Sequence, residues 1–151
     1  PAVDALIAEI PKTSDPAKRN AMLSALAEIK DPALANKVRD FALGKDVKVG
    51  EMAMVLRGGR DSEATRADLW KWFVANYDKI VARTGSFAGG QLPGLAGGGG
   101  CSKAEADRLS EFFKPRLGQV SGAERGLAQT SEQILLCSAQ KAKQDPKAIL
   151  R

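Results

Sequence analysis

Residues 69–80, Leu-Trp-Lys-Trp-Phe-Val-Ala-Asn-Tyr-Asp-Lys-Ile, set apolar side chains at steps of three and four: Leu69, Trp70, Phe73, Val74, Tyr77 and Ile80, with Val81 continuing the series. That period is helical, and no strand-like alternation interrupts it. Asp61 or Ser62 supplies an N-cap and Gly85 a stop, which predicts one long helix. Trp70 and Trp72 are read as core and interhelix packing, because large rings on a helical stripe bury most of their area against neighbours.

The same signals recur on both sides. Upstream, Val3, Leu6, Ile7 and Ile10 form an amphipathic opening. Asp15-Pro16 then pairs an N-cap acceptor with a proline whose missing N–H costs nothing in a first turn, ahead of Met22, Leu23, Leu26 and Ile29. Asp31-Pro32 repeats the device, with Leu34, Val38 and Phe41 as the stripe and Gly44 as the stop; a third stretch runs from about Val49 to Leu56 and ends at Gly58-Gly59. Downstream, Ser102 caps a helix carrying Ala106, Leu109, Phe112 and Phe113, closed by Pro115 and Gly118. Ser121 opens a last long helix with Leu127, Ile134, Leu135 and Ser138 inward, and Asp145-Pro146 precedes a short final turn. The expected fold is all-α: antiparallel helix pairs in an irregular HEAT-like or armadillo-like superhelix, since each pair has an apolar face that only a neighbour covers.

Residues 85–100 hold eight of the fifteen glycines and end in Gly97–Gly100. This stretch is expected to lack regular structure and to serve as a flexible connection within one helical domain spanning 1–151. Phosphate cradling is the alternative, but no G-x-G-x-x-G or G-K-[ST] follows a strand.

Composition bounds the chemistry. Among 151 residues there is no histidine, which excludes Ser-His-Asp and Cys-His nucleophile systems and an H-E-x-x-H zinc site within this chain. The net charge of +5 is spread out: ten Lys/Arg against eight Asp/Glu over 1–60, four against four over 61–100, nine against six over 101–151. Basic and acidic residues alternate at helical spacing, the pattern of a solvated face, so nucleic-acid binding is not expected. No apolar run approaches the ~18 residues of a membrane span. The chain starts at Pro1, without methionine or signal peptide, directly in a helical pattern; it is expected to be a piece of a longer protein.

Cys101 and Cys137 admit a register test. If the turn pairs Pro115 with Gly122 or Ala123, an antiparallel hairpin sets residue 101 opposite 136 or 137, because both arms rise equally per residue. A disulfide is the favoured reading and implies an oxidising, extracytoplasmic compartment such as a periplasm; two free thiols in a cytoplasmic protein are the alternative. Two thiolates without histidine do not complete a tetrahedral zinc shell.

Taken together, three stretches carry a resemblance. Residues 69–80 are an aromatic-rich helix ending in Asn76, Tyr77, two polar residues and Ile80; Phe112-Phe113 follows; Ala123-Glu124-Arg125 then leads into Gln129, Glu132, Ile134 and Leu135. In order and spacing they resemble the C-terminal helical domain of the aminopeptidase N type zinc aminopeptidases, the gluzincin group that includes the puromycin-sensitive and endoplasmic-reticulum enzymes. The likeness runs from about Thr13 to Ile149. The abundance of glycine in the connection and the two cysteines depart from the family pattern.

The resemblance implies a parent enzyme that removes N-terminal residues from peptides, with zinc held by two histidines and a glutamate and a second glutamate activating water, all in a preceding domain. This chain would cover the active site, form the peptide chamber, hold no cofactor and be inactive alone. Its expected partners are that catalytic domain and peptide substrates. The rival from another class is a non-catalytic helical scaffold that binds a protein partner on its concave face. Arg125 and Arg66 match commonly basic family positions, where each either meets a peptide carboxylate or backbone or forms a structural ion pair. Arg57 and Arg60 form an exposed corner suited to interdomain contact. Trp70, Asn76 and Glu124 match family positions that packing and helix-end hydrogen bonding also explain.

Overall fold

The computed structural model describes residues 1–144, with backbone alone at 86 and 87. Among the described residues there are eight α-helices and no strand, so the fold is all-α. They group into two compact units, Pro1–Thr84 and Gly85–Arg151. The expected Asp145-Pro146 cap lies outside the described residues.

The first unit holds α1 (Ala2–Glu9), α2 (Pro16–Ala27), α3 (Pro32–Ala42), α4 (Val49–Leu56) and α5 (Glu63–Thr84). The caps are local and follow the sequence. Asp15 Oδ1 accepts from the Ala17 and Lys18 N–H groups at 2.9 and 3.3 Å, and Asp31 Oδ1 accepts from Leu34 N–H at 2.9 Å. At the start of α5, Ser62 Oγ accepts from Thr65 N–H at 3.2 Å while Thr65 Oγ1 accepts from Ser62 N–H at 3.1 Å, so Ser62 rather than Asp61 is the cap. α2 packs on α4, and α3 packs on α1, α2, α4 and α5. Leu23, Leu26, Val38, Met52, Leu56, Leu69, Phe73 and Ile80 are buried there. Burial of such side chains, at about 25 cal/mol per Å² of apolar area, is what holds the unit together.

Two buried faces differ from the stripes expected. On α3 the buried set is Ala35, Val38, Arg39 and Ala42, whereas Leu34 is 41% exposed. The face is turned because Arg39 finds an anionic partner inside and small alanines let neighbouring helices approach. On α5, Trp72 and Tyr77 are buried with Leu69, Phe73 and Ile80, while Trp70 is half-buried and Val74 exposed.

The second unit contains α6 (Leu92–Gly97), α7 (Lys103–Phe113) and α8 (Ala123–Lys143). Here the glycine-rich stretch is a correction to the sequence reading: residues 86–91 form a 3-10 turn that runs directly into α6, and both pack on α8. The physical reason is close approach. A Cβ at Gly126 would stand 2.1 Å from Gly90 O, and one at Gly89 would stand 2.2 Å from Ser121 O, so backbone meets backbone only because side chains are missing.

α7 is capped by Ser102, whose Oγ accepts from Glu105 N–H at 3.2 Å, while Glu105 Oε2 accepts from Cys101 N–H at 2.9 Å. α8 starts at Ala123 after Gly122, not at Ser121, since Gly122 takes φ +81°. Its buried face is Ala123, Gly126, Leu127, Thr130 and Ile134; Leu135 is 45% exposed, a full helical step away from Ile134, and Ser138 is half-buried.

Candidate functional site

Within the first unit, α3 and α5 lie side by side, and two polar latches join them. Arg39 Nη1 donates to Asp68 Oδ2 at 2.8 Å and to Asn36 Oδ1 at 2.7 Å. One turn further along, the buried Trp72 donates from Nε1 to Asp40 Oδ1 at 2.8 Å. Asn76 Nδ2 donates to Trp72 O at 2.9 Å, which fixes the amide with its oxygen free to accept. The latches border an open groove of about 540 Å³, lined by Asn36, Asp40, Trp72, Asn76 and Lys79 with Leu43 and Gly44 at its end. It offers an indole edge, one carboxylate oxygen, one ammonium and amide groups. Such a mixture suits a polar guest better than a purely apolar one.

A second polar assembly is structural. Arg19 is buried and donates from Nε and Nη2 to the two Glu51 carboxylate oxygens at 2.7 and 2.9 Å, from Nη1 to Ile10 O at 2.6 Å and from Nη2 to Asp46 O at 2.6 Å. The hydrogen bonds from Arg19 hold the Glu51 carboxyl below the usual carboxylate range, against burial, which acts the other way. Arg19 is correspondingly raised, chiefly by its hydrogen bonds to Glu51. Sequence reasoning missed Arg19, Arg39 and Asp40. A signal existed for the first two, since each arginine interrupts an apolar helical face.

The residues singled out from sequence do not converge. Asn76 is in the groove. Trp70 is half-buried on α5 outside the groove's lining. Arg66 is half-buried and donates from Nη1 to Arg60 O at 3.3 Å. Arg57 is exposed, but Arg60 is drawn inward, and burial, then the neighbouring Arg57 charge, lowers its pKa from the arginine value. Arg125 and Glu124 are both exposed in the first turn of α8, and Arg125 has no ion pair among the described residues.

Cys101 and Cys137 are joined by a disulfide with Cα atoms 5.0 Å apart, tying the start of α7 to a late turn of α8. The disulfide uses both thiols, and the chain has no histidine. Among the described residues no group of three or more His, Cys, Asp or Glu is placed to hold a metal ion. No helix among them is long and apolar enough to cross a membrane.

No curated protein matches the chain. A family model described as the ERAP1-like C-terminal domain matches residues 1–136, a span that takes in the aromatic helix, Phe112-Phe113 and the first two thirds of α8. The chain therefore belongs to the ERAP1-like C-terminal domain family, a C-terminal domain of aminopeptidase N type enzymes.

Proposed function

We propose that this chain is the C-terminal helical part of a zinc aminopeptidase that hydrolyses N-terminal residues from peptides, and that it covers the active site and walls the peptide chamber. The observation that carries the reading is the family match over 1–136. The missing histidine then has a simple sense: a zinc set of two histidines and glutamate, with its water-activating glutamate, belongs to a preceding domain. The partners are that domain and peptide substrates. Arg57 and Arg125, exposed and without ion-pair partners among the described residues, supply cationic contacts to one or the other, with Arg66 and Arg60 set further in.

We also infer an extracytoplasmic location. The Cys101–Cys137 disulfide supports it, because such bonds persist in oxidising compartments.

The upstream reading frame tests the assignment. An H-E-x-x-H with a downstream glutamate supports it, and an upstream sequence without that pattern overturns it in favour of the partner-binding scaffold. With zinc and amino-acyl chromogenic substrates, the isolated chain is expected to give no turnover; metal-dependent hydrolysis would refute the division of labour.

A further inference from the structure

Further along the α3–α5 seam, beyond the Arg39–Asp68 latch, is a small chamber of about 130 Å³. Its apolar walls are Ile29, Pro32, Ala35 and Ala64. Arg39, only 4% exposed, lines it together with Gly59. The Arg39 guanidinium is half used. Nη1 serves Asn36 and Asp68, and Nη2 makes no hydrogen bond.

That bare edge faces space that a glycine keeps clear. A Cβ at Gly59 would stand 2.9 Å from Arg39 Nη2, and φ +79° there favours glycine in any case. A buried guanidinium retains a strong demand for acceptors, and Asp68 meets only part of it. Lys30, at the same chamber, is already held by Asp61 at 3.2 Å. The Asp68 carboxylate and Thr65 also line the chamber, and neither accepts from Nη2; the space beside that edge suits an acceptor carried on a compact aliphatic body. Its volume equals the liquid share of about four water molecules, which suits an acid of about four carbons.

We propose that this chamber binds a short aliphatic carboxylate. The carboxylate accepts from Arg39 Nη2, and the alkyl chain lies against Ile29, Pro32, Ala35 and Ala64. The proposal does not depend on the parent enzyme's activity.

The test is an NMR titration of the whole chain with sodium butyrate and, separately, with butyramide, its neutral counterpart, at matched ionic strength. Butyrate is expected to give saturable shifts at the Gly59 and Thr65 amides and the Arg39 side-chain N–H groups, with butyramide binding about tenfold more weakly. Ala64 is an exposed residue in the first turn of α5 and marks the mouth, so Ala64→Leu should abolish the response while leaving the remaining spectrum in place. Absence of saturable shifts, equal binding of butyramide, or an unchanged response in Ala64→Leu would each overturn the proposal.

Discussion

Arg19 and Glu51, thirty-two residues apart, meet in a two-bond ion pair at 2.7 and 2.9 Å that also ties in the carbonyls of Ile10 and Asp46. Four segments of the first unit therefore depend on one guanidinium. Removing one member leaves the other charge buried and unpaired, so Glu51→Ala is expected to destabilise the first unit by about 3 to 5 kcal/mol. Urea unfolding of the variant checks this, and a loss below 1 kcal/mol would mean that water replaces the carboxylate.

The same pair sets a pH dependence. Glu51 has a lowered pKa in the folded chain, so its contribution is present above the unfolded glutamate value of ~4.3 and is lost as pH falls through the lower folded value. Wild-type stability should decline on that acid limb. In Glu51→Gln, which cannot titrate, the limb should be shallower, and identical limbs in urea titrations at several acidic pH values would contradict the assignment.

At the groove, Asp40 is exposed while Trp72 is 7% exposed, so the two ends of their hydrogen bond are not equivalent. Asp40→Ala leaves the indole N–H without its acceptor and should cost about 1 to 2 kcal/mol, with a change in tryptophan emission. Asp40→Asn keeps an acceptor and should recover most of the loss. Equal destabilisation by both variants would place the effect in charge rather than in the hydrogen bond.

The disulfide closes a loop with its cysteines 36 positions apart. On the chain-entropy model this stabilises the second unit by about 3 to 4 kcal/mol, so reduction or Cys101→Ser should lower its unfolding free energy by that order while the first unit is little affected. Thiol titration of the untreated, denatured chain should find no free sulfhydryl. Two titratable thiols would remove the argument for an oxidising compartment.

What was legible in the sequence was local. Asp15-Pro16, Asp31-Pro32 and Ser102 cap the helices they precede, and α4 spans Val49–Leu56 as its pattern suggests, because a cap or a stop acts within one turn. What was not legible depends on residues far along the chain. The buried face of α3 is turned toward Arg39 by Asp68, 29 positions away, and the groove is bordered by a hydrogen bond that joins Asp40 to Trp72 across 32. Periodicity finds a helix but does not say which charged residue on it will be paired inside.

The glycine-rich stretch makes the same point, with a test of its own. Its composition suggests a chain without regular structure, yet residues 86–97 are helical turns seated on α8, because glycines on both sides remove the atoms that would otherwise collide. Gly126→Ala would put a Cβ 2.1 Å from Gly90 O, where neither partner is a yielding side-chain end. Alanine favours helix over glycine by about 1 kcal/mol, so propensity alone predicts stabilisation of α8. The overlap should outweigh it and give net destabilisation of about 1 to 3 kcal/mol. Hydrogen exchange separates the two effects by place: amides of residues 86–97 should lose protection while those of α2 to α5 keep theirs. A stabilised Gly126→Ala chain with protected residues 86–97 would show that this seam yields, and that helix propensity, not backbone contact, is what position 126 contributes.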